Sequence, residues 1–367
     1  MKVLSLFDGM SCTQIALKNL GIKVDTYYAS EIDKYGIQIA QKNFPDTIQL
    51  GDVKDIKGKD LPEIDLIVAG SPCQGFSFAG KQLAFDDPRS ALFFEFVRLL
   101  REVKPKYFLL ENVRMKKEFQ DVISEQVSNI YPECTNGGLF GIEPILINSA
   151  LVSAQNRNRL YWTNIPGIEQ PDDLGIVLRD VLEYEPEEFT KMSDNFLKRN
   201  GERNCMIDDT KEKAHSFSAM DYVKNGRQGN YLACDNEGKP TYNTPKQVGT
   251  AKEINGHDIL KRVYSEDGKS PTLNSMGGGN REPKVAVSKI RNKSKTVRSG
   301  GRLSYDRHEW DSVDELHWRK LTPLECERLQ TVPDNYTEGV SNTQRYKMLG
   351  NGFTVRVIEH ILKNMEV

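Results

Sequence analysis

The first 165 residues alternate short apolar runs with stretches in which apolar side chains recur at helical spacing. The apolar runs, which we predict to be strands, are 3–8, 24–30, 47–51, 66–70, 106–110, 144–152 and 159–164. Helical spacing is clearest over 12–20, 34–43 and 90–103. Alternation of this kind predicts an α/β fold with helices on both faces of a mostly parallel sheet. The last two strands are joined by a short connection, which predicts an antiparallel edge.

The amino-acid composition of the chain changes after Pro166. Residues 166–318 are polar and rich in Gly, Asn, Lys and Asp, with short strand-like pieces between turn signals. We therefore expect one domain built from 1–165 plus about 343–367, and a second, smaller domain over about 166–342.

Two local patterns mark the last part of the chain. The segment 322–325 (Thr-Pro-Leu-Glu) has the N-cap, the proline and the acid of a helix start, and a final helix is expected over 354–364. A basic tract precedes them and contains Lys284, Lys289, Arg291, Lys293, Lys295, Arg298 and Arg302. The tract is either a solvated, mobile loop or a segment that contacts phosphates.

Composition excludes several classes of protein. A formal net charge of −2 excludes a uniformly basic protein but not a local basic groove. No apolar stretch has the length of a membrane span and no signal peptide opens the chain, so a cytoplasmic location is expected. The six cysteines form no CxxC pair, which argues against both a disulfide framework and a structural zinc site, and no metal site is expected.

Two neighbouring predicted strands are each followed by, or end in, a side chain that can act in catalysis. One leads into Pro72-Cys73-Gln74 and the other into Glu111. The carboxyl ends of such strands border the crevice in which ligands bind, so we expect a nucleophilic thiol and an acid/base carboxylate at one site. A lone cysteine is more often structural, but the stiff turn here precedes a flexible segment over 75–87 that resembles a lid.

The positions of the histidines limit the types of reaction in which Cys73 can act. No histidine occurs before position 215, which excludes a papain-type Cys–His pair within the first half. The His-x-Glu and CxxC ligands of a zinc deaminase are also missing. A thiol without a histidine base suits a substrate made electrophilic by protonation, and Glu111 is placed to supply that proton.

Three successive strand ends suit an adenosine-type cofactor. The turn over 7–11 (Phe-Asp-Gly-Met-Ser) lets a ligand approach the backbone closely. Glu31 follows the second strand and is placed to accept hydrogen bonds from a ribose, and Asp52 follows the third, placed to accept from an exocyclic amine. Each acid alone is more often a helix cap, but three strand ends in a row, each with a polar group in register, favour a cofactor. The chain has no P-loop, which argues against phosphoryl transfer from ATP.

A further motif leads into the last strand of this half. In an extended segment, alternation sends Gln155, Arg157 and Arg159 to one face. Guanidinium groups there suit a carbonyl oxygen or a phosphate, and the alternative is a surface ladder of salt bridges.

These motifs resemble those of DNA (cytosine-5)-methyltransferases in order and spacing, over both ends of the chain. The matching segments are Phe7-Asp8-Gly9, Glu31, Asp52-Val53, Pro72-Cys73-Gln74, Glu111-Asn112-Val113, Gln155-x-Arg157-x-Arg159, Arg319-x-Leu321-Thr322 through Arg328-Leu329-Gln330, and Gly350-Asn351-Gly352 with Val355. The resemblance implies a Rossmann-like methyltransferase fold dependent on S-adenosylmethionine, with a target-recognition domain that reads duplex DNA.

The resemblance also implies roles for individual residues. Cys73 would attack C6 of a flipped cytosine while Glu111 binds N3 and the amino group, Arg159 holds O2, and Arg157 holds the loop or backbone nearby. Gln74 completes the catalytic set. The implied cofactor contacts are Phe7, Asp8, Gly9, Ser11, Glu31, Ile32, Asp52, Val53, Gly70, Pro72, Leu92, Asn112, Asn351 and Gly352.

The chain departs from the family pattern at two places. Ser11 and Cys12 stand where the family usually has glycines, which we expect to tighten the turn, and Gly352 stands where it has Ser or Ala. Some stretches look closest to the eukaryotic de novo branch, although the short N-terminus resembles bacterial and phage enzymes. Two alternatives stay open: the same reaction on tRNA, whose Cys-Phe-Thr signature is missing here, and a catalytically silent DNA-binding homologue. A partner restriction endonuclease is allowed for, and a monomer is favoured.

Overall fold

The computed structural model describes residues 1–70, 91–134, 141–183 and 316–366. Between 183 and 316 it also describes 190–191, most of 245–273 and 283–288. The predicted lid over 75–87 and the residues Pro72, Cys73 and Gln74 lie outside these ranges, and so do Lys289–Arg302 of the basic tract.

Seven strands form the larger sheet in the order β3-β2-β1-β4-β5-β7-β6. They are β1 Lys2–Leu6, β2 Thr26–Ser30, β3 Ile48–Gln49, β4 Leu66–Gly70, β5 Tyr107–Val113, β6 Ile145–Asn148 and β7 Asn158–Thr163. The first five pair in parallel, whereas β7 pairs antiparallel with both β5 and β6. The predicted mostly parallel sheet with an antiparallel edge is therefore confirmed.

Helices cover both faces of this sheet. They are α1 Cys12–Asn19, α2 Lys34–Asn43, α3 Ala91–Val103 and α4 Lys117–Ser128. Side chains alternate along β4, with Leu66 and Val68 in one buried cluster and Ile67 and Ala69 in the other. The first cluster takes in α1 and α2, and the second takes in α3 and α4. Burial of each large apolar side chain contributes about 1.5–3 kcal/mol to folding.

The strand candidate over 144–152 is shorter than predicted. β6 ends at Asn148, and Ser149–Leu151 form a 3-10 turn instead. The side chain of Asn148 accepts a hydrogen bond from the backbone N–H of Ala150 at 3.0 Å and so caps this turn.

A second sheet has five strands in the order β8-β12-β11-β10-β9. They are β8 Thr190–Lys191, β9 Gln247–Thr250, β10 Arg262–Ser265, β11 Lys284–Ser288 and β12 Leu316–Lys320. The solvated-loop interpretation of the basic tract is wrong at its first residue. Lys284 lies in β11, is 1 % exposed and donates to the carbonyl of Leu260 at 2.7 Å.

The chain then returns to the first sheet through three helices, α5 Pro323–Leu329, α6 Asn342–Asn351 and α7 Val355–Leu362. The predicted start of α5 is confirmed, because Thr322 and Glu325 form a reciprocal capping box. α7 packs against α1 and is slightly shorter than the predicted 354–364. Cys326 and Leu329 of α5 belong to the same buried cluster as Val3 of β1.

Candidate active site

An ion pair between neighbouring strands defines one part of the site. Glu111 of β5 and Arg159 of β7 lie on adjacent antiparallel strands, and Arg159 Nε is 2.9 Å from Glu111 Oε1. Their side chains are only 11 % and 13 % exposed. The ion pair fixes the direction of both side chains.

Gly70 at the end of β4 lies beside this pair. It is in register with Glu111, and a Cβ placed on Gly70 would lie 3.8 Å from Glu111 Oε2. The same Cβ would lie 2.7 Å and 2.9 Å from two ring carbons of Phe353. Only a glycine lets the Phe353 ring pack against this strand end, next to the carboxylate. We did not predict Phe353, although an aromatic residue directly after the Gly350-Asn351-Gly352 motif was the available signal.

The turn after β1 has an unusual backbone. Phe7, Gly9 and Ser11 all have positive φ values, of 58°, 59° and 62°. Ser11 thus takes up, as a non-glycine residue, the left-handed conformation that glycine adopts most easily. Its hydroxyl donates to a carboxylate oxygen of Asp8, which stabilises the conformation locally.

Asp8 stabilises this turn through hydrogen bonds to both of its carboxylate oxygens. Its other carboxylate oxygen accepts from the buried Tyr27 hydroxyl at 2.7 Å. Burial raises the pKa of the Asp8 carboxyl, while the hydroxyl donors act in the opposite direction. The side chain of Asp8 is therefore engaged with protein groups, and Tyr27 is a supporting residue that the sequence motif did not reveal.

Glu31 follows β2 and organises the next loop. It accepts hydrogen bonds from the backbone N–H groups of Gly9, Ile32 and Asp33, each at 2.7 Å. Ile32 is 75 % exposed, which is unusual for a large apolar side chain. These hydrogen bonds join the ends of β1 and β2, and Ile32 places an apolar surface beside the Glu31 carboxylate.

Asp52 follows β3 and caps a short 3-10 turn, accepting from Lys54 N–H at 3.0 Å. The neighbouring Gly51 carbonyl accepts from the Ser30 hydroxyl at 2.8 Å, which joins the ends of β2 and β3. Val53 is buried among the side chains on the α3 face. The structure therefore brings the three strand ends to one edge, as the sequence predicted, with Glu31 and Asp52 at two of them.

Arg157 connects distant parts of the chain. It is 3 % exposed, and its guanidinium donates to the carbonyls of Leu273, Gly350 and Gly352 at 3.0, 3.1 and 3.0 Å. Gln155 is fully buried. The surface-ladder interpretation of this motif is wrong for both residues, because neither reaches the surface.

The two departures from the family pattern lie in contact. A Cβ on Gly352 would lie 3.2 Å from Cys12 Sγ and 2.9 Å from Met10 Cε. The larger residue at position 12 therefore fills the space that a larger residue at position 352 would need. Burial raises the pKa of the Cys12 thiol to about 12, so Cys12 is a packed, protonated thiol.

The remaining predicted cofactor contacts lie around the same edge. Asn112 is 1 % exposed, and its side-chain oxygen accepts from Val113 N–H at 2.8 Å. Leu92 is half-buried near the start of α3, and Asn351 is exposed at the end of α6. Among the residues that the structure describes, no cluster of His, Cys, Asp or Glu could hold a metal ion, and no helix could cross a membrane.

A mostly parallel sheet that contains one antiparallel strand and carries helices on both faces is the α/β fold of S-adenosylmethionine-dependent methyltransferases. The particular family follows from the sequence. The model of the C-5 cytosine-specific DNA methylase family matches residues 1–367, and the chain belongs to that family of DNA methyltransferases.

Comparisons with individual proteins agree. The orphan methyltransferase M.Rho11sI of Bacillus phage rho11s is 31 % identical, across 100 % of this chain and 97 % of that protein. The type II methyltransferase M.HhaI of Haemophilus parahaemolyticus is 26 % identical, across 100 % and 94 %. The crystal structure of S. pombe Dnmt2 methyltransferase superposes with a TM-score of 0.58 at 17 % identity, covering 99 % and 97 % of the two chains, which supports the fold alone.

Proposed function

We propose that this chain methylates C5 of a cytosine at a specific site in duplex DNA, after the base has flipped out of the helix and become covalently bound to Cys73. The observation that carries the proposal is the ion pair of Glu111 and Arg159, in register with Gly70. Cys73 follows Gly70 by three residues, so chain connectivity alone keeps it within about 11 Å of that strand end. The proposal therefore assigns a thiol nucleophile, a carboxylate and a guanidinium to one base.

Each group has a chemical task in this proposal. The Cys73 thiolate forms a bond to C6 of the cytosine, and Glu111 donates a proton toward N3, which takes up the electron pair displaced from the ring. Arg159 holds the O2 oxygen and keeps Glu111 oriented. The attack leaves C5 nucleophilic. Once C5 is methylated, loss of its proton and elimination at C6 release Cys73.

The residues at the strand ends fit S-adenosylmethionine, which when bound supplies an electrophilic methyl group. We assign the ribose to Glu31, an apolar contact with the adenine to Ile32, and the exocyclic amine to Asp52. The exposed Ile32 supports this assignment, because a 75 % exposed isoleucine beside a carboxylate is explained by a ligand that covers it. The other residues of the implied cofactor set, including Pro72, Leu92, Asn112 and Asn351, complete the proposed site.

The second domain, with strands β8–β12, is proposed to recognise the target sequence in the major groove. The division at about 166 and 342 remains part of the proposal.

The relatives come from phages and bacteria and include orphan and type II methyltransferases. We propose a monomeric enzyme that acts on DNA in the bacterial cytoplasm, with or without a cognate endonuclease.

The test uses duplex DNA that contains 5-fluorocytosine, because fluorine at C5 prevents the elimination that releases the cysteine. With S-adenosylmethionine present, we expect a denaturation-resistant adduct with the wild-type chain and none with Cys73→Ser. Cys134→Ser, which changes a cysteine outside the site, is the matched control and retains the adduct.

Three outcomes oppose the proposal. The absence of an adduct on duplex DNA of mixed sequence favours a silent DNA-binding homologue. Methyl transfer to tRNA but not to duplex DNA favours the RNA reaction. An adduct that survives in Cys73→Ser refutes the assignment of the nucleophile.

A further inference from the structure

Lys269 is a fully buried lysine in the second half of the chain. Its relative exposure is 0 %, and its ammonium group donates to the carbonyls of Ala150 at 2.8 Å, Ser153 at 3.1 Å and Ile176. An ammonium has three N–H donors, so all three are satisfied. A buried cation with a complete set of acceptors holds these segments together, since moving any of them leaves a buried donor unpaired.

The residues around Lys269 pair with backbone on two sides, one in the first domain and one in the segment that follows it. Ser270 N–H donates to Ala154 at 2.7 Å, and its carbonyl accepts from Asn156 N–H at 2.8 Å. On the other side, Leu178 N–H donates to the Gly268 carbonyl at 2.9 Å. We call residues 268–273 the strap, because they lie between these two stretches in the manner of a central strand.

The last residue of the strap contacts Arg157, the buried arginine of the candidate site. The carbonyl of Leu273 accepts from Arg157, and the same guanidinium binds the carbonyls of Gly350 and Gly352. Two residues further along, Arg159 holds Glu111. One side chain thus joins the second half of the chain to the segment proposed to complete the cofactor site.

We propose that Lys269 is a positioning residue that couples binding of duplex DNA by the second domain to binding of the cofactor by the first. The inference rests on the proposed function. By fixing the strap, Lys269 fixes the Leu273 carbonyl relative to Arg157. Displacement of the second domain by DNA then reaches the Gly350 and Gly352 carbonyls through a rigid connection.

The charged groups around Lys269 are consistent with its positioning role. Burial lowers the pKa of Lys269, and the nearby carboxylates of Asp173 and Asp180 oppose that shift and favour the charged form. Thr272 adds a second fastening, because its hydroxyl donates to the Asn156 carbonyl at 2.6 Å. The strap is therefore held by a side chain near each end.

The test measures the coupling itself. The affinity for S-adenosylhomocysteine, which does not react, is determined with and without long unmethylated duplex DNA of mixed sequence. For the wild-type chain we expect DNA to tighten binding by about 5- to 150-fold, the usual range for coupled sites. In Lys269→Met the affinity without DNA stays within about twofold of the wild type, while the enhancement by DNA falls to about twofold or less.

Two further variants make the result decisive. Thr272→Val cuts only one hydrogen bond of the strap and is expected to lose part of the enhancement. Lys106→Met is the matched control, because Lys106 also donates to a carbonyl, that of Glu366 at 2.9 Å, but lies at the opposite edge of the sheet and is exposed. It is expected to keep the whole enhancement.

Several results would overturn the inference. It fails if both strap variants keep the full enhancement, if the wild type shows none, or if Lys269→Met loses affinity equally with and without DNA, as a purely structural role predicts. Failure of the proposed function is recognised separately, because the wild-type chain then forms no adduct with 5-fluorocytosine DNA.

Discussion

The Nε atom of Arg159 lies 2.9 Å from Oε1 of Glu111, and both side chains are almost fully buried. The two residues come from β5 and β7, the only antiparallel contact that β5 makes within the described sheet. Antiparallel insertion of β7 is what brings the arginine to the carboxyl end of β5. The pair therefore depends on the mixed topology of the sheet as much as on the motif residues themselves.

Glu111→Gln is expected to retain the fold and lose catalysis. Glutamine keeps the shape of the side chain and can still accept from Arg159, but it cannot donate a proton to the base. Single-turnover methylation should fall by about 10²- to 10⁴-fold, the usual contribution of a positioned acid or base. The exposed Glu118→Gln serves as control, and a rate within tenfold of the wild type in Glu111→Gln would remove Glu111 from the mechanism.

Ile32→Ala tests the proposed adenine contact. Because Ile32 is 75 % exposed, its truncation should change the free energy of unfolding by less than about 0.5 kcal/mol. If the side chain packs on the cofactor, loss of about 1–2 kcal/mol of apolar contact should weaken S-adenosylhomocysteine binding about tenfold by calorimetry. Ile259, which is 65 % exposed in the second half of the chain, gives the matched control Ile259→Ala. Equal affinities in all three proteins would contradict the assignment.

Gly70→Ala should disturb the junction of β4 and Phe353. The new methyl group would lie 2.7 Å from the aromatic ring, so either the ring or the strand end must move. We expect a loss of about 1–3 kcal/mol in the free energy of unfolding. In a double-mutant cycle with Phe353→Leu, the loss should shrink, giving a coupling energy above about 0.5 kcal/mol. Strict additivity in urea unfolding would show that the contact is unimportant.

Gly352→Ser is expected to be tolerated only when position 12 is made smaller. In the wild-type background the added side chain meets Cys12 and Met10, and a loss of about 1–3 kcal/mol follows. Cys12→Ala removes the sulfur atom and should recover part of that loss in the double variant. Thermal unfolding of the four proteins measures this, and a double variant no more stable than the sum of the single losses predicts would refute the compensation.

The ion pair of Arg328 and Asp334 gives a prediction about pH. Hydrogen bonds from Arg328 hold the pKa of Asp334 below its ordinary value. A depressed carboxyl pKa stabilises the fold above the unfolded-state value of about 4, and that stabilisation is lost as the pH falls through the lower folded-state pKa. Because the side chains are 31 % and 48 % exposed, we expect only about 0.5 kcal/mol.

The measurement compares urea unfolding of the wild type and Asp334→Asn at neutral pH and at successively lower pH. The difference should disappear at low pH, while the exposed Asp46→Asn shows little difference at any pH. A difference that grows as the pH falls would have the wrong sign.

Local patterns in the sequence determined much of this protein. Period-two and helical spacing predicted the strands and helices of the first sheet because each element must bury one face. The capping box at Thr322 and Glu325 was predictable because its hydrogen bonds join residues only three apart. The grouping of Glu31 and Asp52 with the turn after the first strand was predictable because parallel strands bring their carboxyl ends to one edge.

Only the tertiary structure decided which groups those residues contact. Arg157 binds carbonyls that lie more than 100 residues away, and no spacing encodes that choice. Lys269 and Lys284 look like solvated lysines in the sequence, yet both are buried on backbone carbonyls. A lysine has the same local signature in water and in a satisfied interior, so its environment becomes visible only when distant backbone supplies the acceptors.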